Sequence, residues 1–209
     1  MACSHAGCFR DRRPCARAGA IEARALAAIR RARVTGPIIP RWEWRTFGDA
    51  LGAADSRFDA LTPGEVRETD EVYLLSALTD ASVKLRDGLA DVKVLREVSA
   101  DGLERWEPIL KAPATRTPDE LHVLADALGL ETLAVRVHKR RAHYLLDGCM
   151  AERSEIRTEH GARRTIGIES EDPDLVRSVV ADLGFDVHRN VNLPRELKLV
   201  AGFGVRAPQ

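Results

Sequence analysis

From Arg41 the chain alternates charged and bulky residues, Arg41-Trp42-Glu43-Trp44-Arg45-Thr46-Phe47, which is the period of a strand with two unlike faces. Arg41, Glu43 and Arg45 share one face; Trp42, Trp44 and Thr46 share the other. Residues 49–57 are weakly helical. Residues 69–76 alternate again, with Val72, Leu74 and Ser76 opposite Tyr73 and Leu75. Residues 82–87 put Lys84 and Arg86 opposite Val83 and Leu85. After the turn Asp87-Gly88, residues 91–98 put Asp91, Lys93 and Leu95 opposite Val92 and Val94. A turn at Ala100-Asp101-Gly102 leads into residues 103–111, where Arg105, Glu107 and Lys111 share a side opposite Trp106 and Leu110.

A helix interrupts the strands. Thr117-Pro118-Asp119-Glu120 supplies an N-cap, a proline at the first helical position and a capping-box glutamate, and Gly129 is the stop. Strand patterns resume at 133–141, 142–146, 151–157 and 164–171. A last clear helix opens at Asp172-Pro173, buries Leu175, Val176, Val179, Val180 and Leu183, and ends at Gly184. Beyond Phe185, including Leu193-Pro194-Arg195, no period stands out. Closely spaced strands with glycine turns indicate antiparallel meanders and not βαβ units.

Composition adds boundaries to this picture. The chain has 209 residues, 44% hydrophobic and 31% charged, enough to bury a core and unusually rich in ions. Disorder, collagen and a disulfide miniprotein are excluded. No window reaches the roughly 18–20 consecutive apolar residues of a membrane span. Basic and acidic residues balance at 32 each. Residues 1–36, however, hold eight Arg against only Asp11 and Glu22, which leaves the body net acidic. We read residues 1–36 as a mobile Ala/Arg-rich extension, or the product of a start codon assigned too early, and 37–209 as the folded domain. Cys3, Cys8 and Cys15, with His5, match no zinc spacing. Cys149 reads as a small buried hydrophobe, and the cysteine usage suits a reduced, cytoplasmic setting.

The informative feature is the placement of ions inside the strands. For any one strand, a charged face is simply a wet face. At least six strands carry Arg or Lys on one face, several with Glu beside them, and a sheet of this many strands curls or closes. Two like charges about 4 Å apart repel by about 1 kcal/mol in water and about 4 kcal/mol at an effective dielectric near 20. A concave basic lining therefore calls for acids, metal ions or an anionic ligand. Glu43, Glu107, Glu155, Glu169 and Glu171 are the acids placed to contribute, and Arg forks and Lys heads suit phosphate oxygens.

The strand order resembles the CYTH superfamily, the triphosphate tunnel metalloenzymes, over residues 38–200. The motifs that carry the resemblance are Arg41-Trp42-Glu43-Trp44-Arg45, Val83-Lys84-Leu85-Arg86, and Ile168-Glu169-Ser170-Glu171 before a closing helix. The resemblance implies an α+β fold: an antiparallel eight-stranded β-barrel forming an open-ended tunnel, with flanking helices. It implies a basic lining that grips a triphosphate and glutamates that bind Mg2+ or Mn2+. Glu43 then matches the second acid of the opening motif and Arg45 its closing base. Lys84, Arg86 and Lys93 match the phosphate-gripping bases of the middle strands; Arg136, Lys139 and Arg141 match those of the later strand. Glu169 and Glu171 match the carboxylate pair of the last strand, and with Glu43 form the expected catalytic and metal set. Arg41 and Arg105 complete the expected substrate-binding set. Where the family motif has its first glutamate this chain has Arg41, so one metal ligand is replaced by a positive charge.

Three functions are weighed. The first is a metal-dependent phosphohydrolase acting on tripolyphosphate, polyphosphate or a nucleoside or organic triphosphate. The second is a non-catalytic polyphosphate or triphosphate receptor, suggested by Arg41; a class IV-type adenylate cyclase is the family's further activity. The third is nucleic-acid binding through Arg12-Arg13 and Arg30-Arg31-Ala32-Arg33, which the net acidic body and the lack of a recognised motif disfavour. The expected partner is a small anionic phosphate compound, not a membrane, and a homodimer stays open. Trp42, Trp44 and Trp106 read as packing between barrel and helices. His122, His138 and His143 lack paired ligand spacing and read as structural or solvated. No Gly-x-Gly-x-x-Gly or Walker loop is present.

Overall fold

A computed structural model describes residues 39–49, 51–127, 129–185 and 187–204. The expectations for residues 1–36, and for Cys3, Cys8, Cys15 and His5, lie outside the described residues.

Eight antiparallel strands close into a barrel. They are β1 (Arg41–Phe47), β2 (Glu65–Ser76), β3 (Ser82–Arg86), β4 (Leu89–Val98), β5 (Glu104–Pro113), β6 (Thr132–Leu146), β7 (Cys149–Thr158) and β8 (Gly161–Ser170). Around the barrel the order is β1-β5-β4-β3-β2-β6-β7-β8. The segments read as 133–141 and 142–146 are one strand. Two Asp-Gly turns set the hairpins: Asp87-Gly88 and Asp147-Gly148 both place two consecutive residues at positive φ, as a two-residue hairpin loop of matching twist requires. Each turn then dictates its register, Arg86 opposite Leu89 and Leu146 opposite Cys149.

Among the described residues, four helices flank the barrel: α1 (Ala53–Asp59), α2 (Pro118–Ala127), α3 (Pro173–Asp182) and α4 (Leu193–Ala201). The expected capping box forms at α2, where Glu120 Oε2 accepts from the Thr117 amide at 2.7 Å. Asp172 caps α3 by accepting from the Asp174 amide at 2.9 Å. The stretch left without a period is α4, capped by Asn192, which accepts from the Arg195 amide at 2.9 Å, and ended by left-handed Gly202. Among the described residues, no helix is long and apolar enough to cross a membrane.

The apolar faces of β1, β6, β7 and β8 point outward. Trp44, Tyr144, Ile166 and Ile168 pack there against Phe58 of α1 and Val176 and Val179 of α3, so the main core lies outside the barrel wall. Trp44 stacks on Phe185 with ring centroids 4.9 Å apart. Cys149 is buried in this layer as a free thiol.

A second apolar cluster closes one end of the barrel. Tyr73, Leu75, Val135, Val137 and Ile156 converge inside it, and Leu193 and Leu197 of α4 pack onto them. The expected open-ended tunnel is therefore a blind one. Three strands turn apolar over their inward positions at this end, and an amphipathic helix covers the resulting greasy floor.

Candidate functional site

Strand parity assigns the barrel interior. With Glu43 and Arg45 inward, the β1–β8 register brings Glu169 and Gly167 inward beside them. The β7–β8 register then adds Met150 and Glu152, and the β6–β7 register adds His143, Arg141 and Lys139. From β2, β3 and β4 come Glu71, Lys84, Arg86, Asp91 and Lys93. The result is a cavity of about 630 Å³, lined by seven basic and five acidic side chains above the apolar floor. That volume falls within the usual range for small-molecule sites.

The charges are interleaved. Glu152 receives Lys139 Nζ at 2.6 Å and Arg45 Nη1 at 3.3 Å, and the Ser154 hydroxyl donates to it at 2.8 Å. Burial opposes its ionisation, but Lys139 and Arg45 hold the Glu152 carboxyl well below the usual carboxylate range. Glu71 accepts from Arg141, from Arg86 at 3.3 Å, from the Tyr73 hydroxyl at 2.9 Å and from Thr69 at 3.0 Å. Burial again works against the anion, yet Lys84, Arg141 and Lys139 bring Glu71 to about 2. Lys84 lies 3.6 Å from Asp91. Buried pairs of this kind are costly to break, because each partner left alone is an uncompensated charge.

Several cations keep unused capacity. Among the described residues, the Nε of Arg141 is the buried side-chain polar atom with no hydrogen-bond partner. Lys111 lines the cavity opposite Asp91 in register and joins no ion pair among the described residues. Burial pulls Lys139 down to about 8 despite Glu152, with Arg45 and Arg141 adding to the fall. Burial likewise lowers Lys84.

Glu43 and Glu169 sit directly opposite each other across β1 and β8. Arg41 Nη1 donates to Glu169 Oε1 at 3.2 Å, Lys93 Nζ lies 4.0 Å from Glu169 Oε2, and Arg45 Nε donates to Glu43 at 3.0 Å. Burial raises the Glu169 carboxyl, and the neighbouring Glu43 charge adds to this against Lys93 and Arg41. Glu43 itself, though burial pushes it up, is held low by Arg45 and Lys93. Gly167 makes room for the Arg45 guanidinium: a Cβ there would meet Nη2 at 2.5 Å.

Three of the site residues expected from sequence lie elsewhere. Arg105 is outside the barrel, 5.9 Å above the Trp42 ring and 3.6 Å from Glu97. Register shifts between β4 and β5 put Lys111 and Trp106 inside but Arg105 and Glu107 outside, so the expected row is split. Pro108, mid-strand, was the available sign of a bulge. Arg136 is exposed opposite Val72, out of phase with Lys139 and Arg141. Glu171 lies on an exposed bend past the end of β8. Glu155 also faces out, whereas Glu152, Glu71 and His143 are inside and were not expected there. Trp106 packs inside the barrel, its Nε1 donating to Glu104 at 3.2 Å, rather than beneath the helices.

This architecture is the CYTH-type tunnel fold. The solved structures it is similar to include HpAC1 from Hippeastrum, described as an adenylyl cyclase candidate with a dominant triphosphatase activity. That match has a TM-score of 0.53 at 15% identity, over 78% of this chain and 96% of that one. A conserved hypothetical protein from Pyrococcus furiosus matches with a TM-score of 0.52 at 16% identity, over 74% of this chain and 96% of the other. No protein-family model matches the sequence, and no curated relative does.

Proposed function

We propose that the blind tunnel binds a triphosphate and hydrolyses it with the help of a divalent cation. The observation that carries this reading is the convergence of seven basic side chains on one enclosed cavity, with the buried Nε of Arg141 unpartnered inside it. A donor so placed lacks only an acceptor, and a phosphate oxygen supplies it.

The lining holds only two more bases than acids, too few to neutralise a triphosphate. Glu43 and Glu169 are the residues that would hold a cation accompanying it. Their hard oxygen donors suit Mg2+ or Mn2+, and the two carboxylates stand in direct register across β1 and β8. Among the described residues, no group of three or more His, Cys, Asp or Glu is arranged as a metal cage. That agrees with magnesium's habit of binding through one or two carboxylates plus substrate phosphates. The ion would supply charge neutralisation on the phosphates. Arg45, Lys84, Arg86, Lys93 and Arg141 bind and orient the chain and stabilise charge that grows on the departing oxygen. Glu152 and Glu71 hold those cations in place.

The test is phosphate release from tripolyphosphate with magnesium or manganese. Activity lost in Glu43→Gln and Glu169→Gln supports the reading; activity unchanged in both contradicts it. The contact of Arg41 with Glu169 favours a second reading, a receptor that holds the phosphate chain without turnover. Tight metal-independent binding with no product would establish that one.

A further inference from the structure

Two apolar side chains stand at the mouth beside the charged lining. Leu145 and Met150 are opposite each other in register at the tip of the β6–β7 hairpin, on the same faces as His143 and Glu152, and both line the cavity. Leu145 is 78% exposed and Met150 40% exposed. Their neighbours one position nearer the turn, Leu146 and Cys149, are buried on the other face in the outer core. The uncovered pair is therefore not an edge of that core. It is an apolar lip beside the charged lining. The Met150 sulfur accepts from Arg41 Nη1 at 3.3 Å, which ties the lip to the Glu43–Glu169 end of the cavity.

The opposite end is sealed by α4 and its apolar floor. A phosphate chain can enter only by its terminus, and whatever the chain is attached to stays at the mouth. We infer that the ligand is a linear triphosphate ester of an organic group with an apolar face, and that Leu145 and Met150 bind that group. The inference rests on the triphosphate reading and narrows it, setting organic triphosphates above tripolyphosphate and long polyphosphate. A thioether and a leucine side chain suit a flat heteroaromatic ring, since sulfur packs favourably on aromatic edges and leucine supplies apolar area.

The experiment compares titrations, with magnesium, of the β,γ-imido analogue of ATP and of tripolyphosphate. The wild type is set against the double variant Leu145→Ser/Met150→Ser and against Leu145→Phe. The double variant is expected to weaken the nucleotide about tenfold and tripolyphosphate less than twofold, while Leu145→Phe tightens the nucleotide a few-fold. Equal losses for both ligands, or no loss for the nucleotide, overturn the inference and leave the triphosphate reading standing. Failure of the wild type to bind either ligand overturns both.

Discussion

Glu43 and Glu169 face each other in direct register across β1 and β8, with the Lys93 ammonium 4.0 Å from Glu169. Against burial, Arg45 and Lys93 hold Glu43 low, whereas burial and the Glu43 charge raise Glu169. Replacing one of these carboxylates by an amide should separate metal from phosphate binding. Glu169→Gln is expected to leave metal-free tripolyphosphate affinity equal or higher, because a negative charge is removed. The gain in affinity on adding magnesium should fall about tenfold. Paired titrations with and without magnesium measure it, and an undiminished magnesium effect would count against the assignment.

Lys139 gives a prediction in pH. Its folded-state value is about 8, below the ordinary 10.5, because burial outweighs Glu152. Between these values the folded protein holds fewer protons than the unfolded chain, so this group makes stability rise with pH across that window. A phosphate ligand reverses the balance by favouring the charged ammonium. Binding at pH 8 to 9 should then take up protons and weaken as pH rises further. Calorimetry in buffers of different ionisation enthalpy reads the proton uptake; no uptake in that range would contradict the placement of Lys139 against the ligand.

The Arg45 guanidinium lies where a side chain at 167 would start. Gly167→Ala should displace it from Glu43 and Glu152 with a modest loss of stability and a loss of about tenfold in tripolyphosphate affinity. Thermal melting and titration of the same variant separate the two effects. An alanine variant that binds as the wild type does would show that Arg45 is not a phosphate contact.

The floor can be tested apart from the charges. Leu197 is buried against the apolar inward residues of the barrel. Leu197→Ala is expected to cost about 2–5 kcal/mol, the usual price of a large-to-small core change. A denaturant melt showing no loss would mean that α4 does not seal the barrel.

Much of this architecture is readable in the sequence, and the failures have identifiable causes. Alternation in Arg41–Phe47 and in Ser82–Arg86 puts the right residues on the inner face because both strands are regular. The acids on β7 were also derivable. Counting outward from Asp147-Gly148 pairs His143 with Glu152 and Arg141 with Ser154, so once Arg141 points inward Glu152 must follow and Glu155 cannot. Arg105 fails differently: strand parity persists only while the ladder is unbroken, and the irregularities between β4 and β5 break it. Glu71 is one of four carboxylates on β2, and nothing in the sequence singles it out until β3 and β6 supply its partners. Helix α4 was illegible because an exposed Leu199 stands beside the buried Leu193 and Leu197, and the inner stripe shows only against the barrel floor it covers.

The account stands on an anion entering the barrel, and calorimetric titration of the full chain with tripolyphosphate in magnesium, repeated at rising salt, tests it most directly. One ligand per chain is expected, at micromolar affinity or tighter, weakening steeply with salt and by several-fold in Lys111→Ala. Absence of binding at millimolar ligand, or an affinity indifferent to both salt and Lys111, would contradict it.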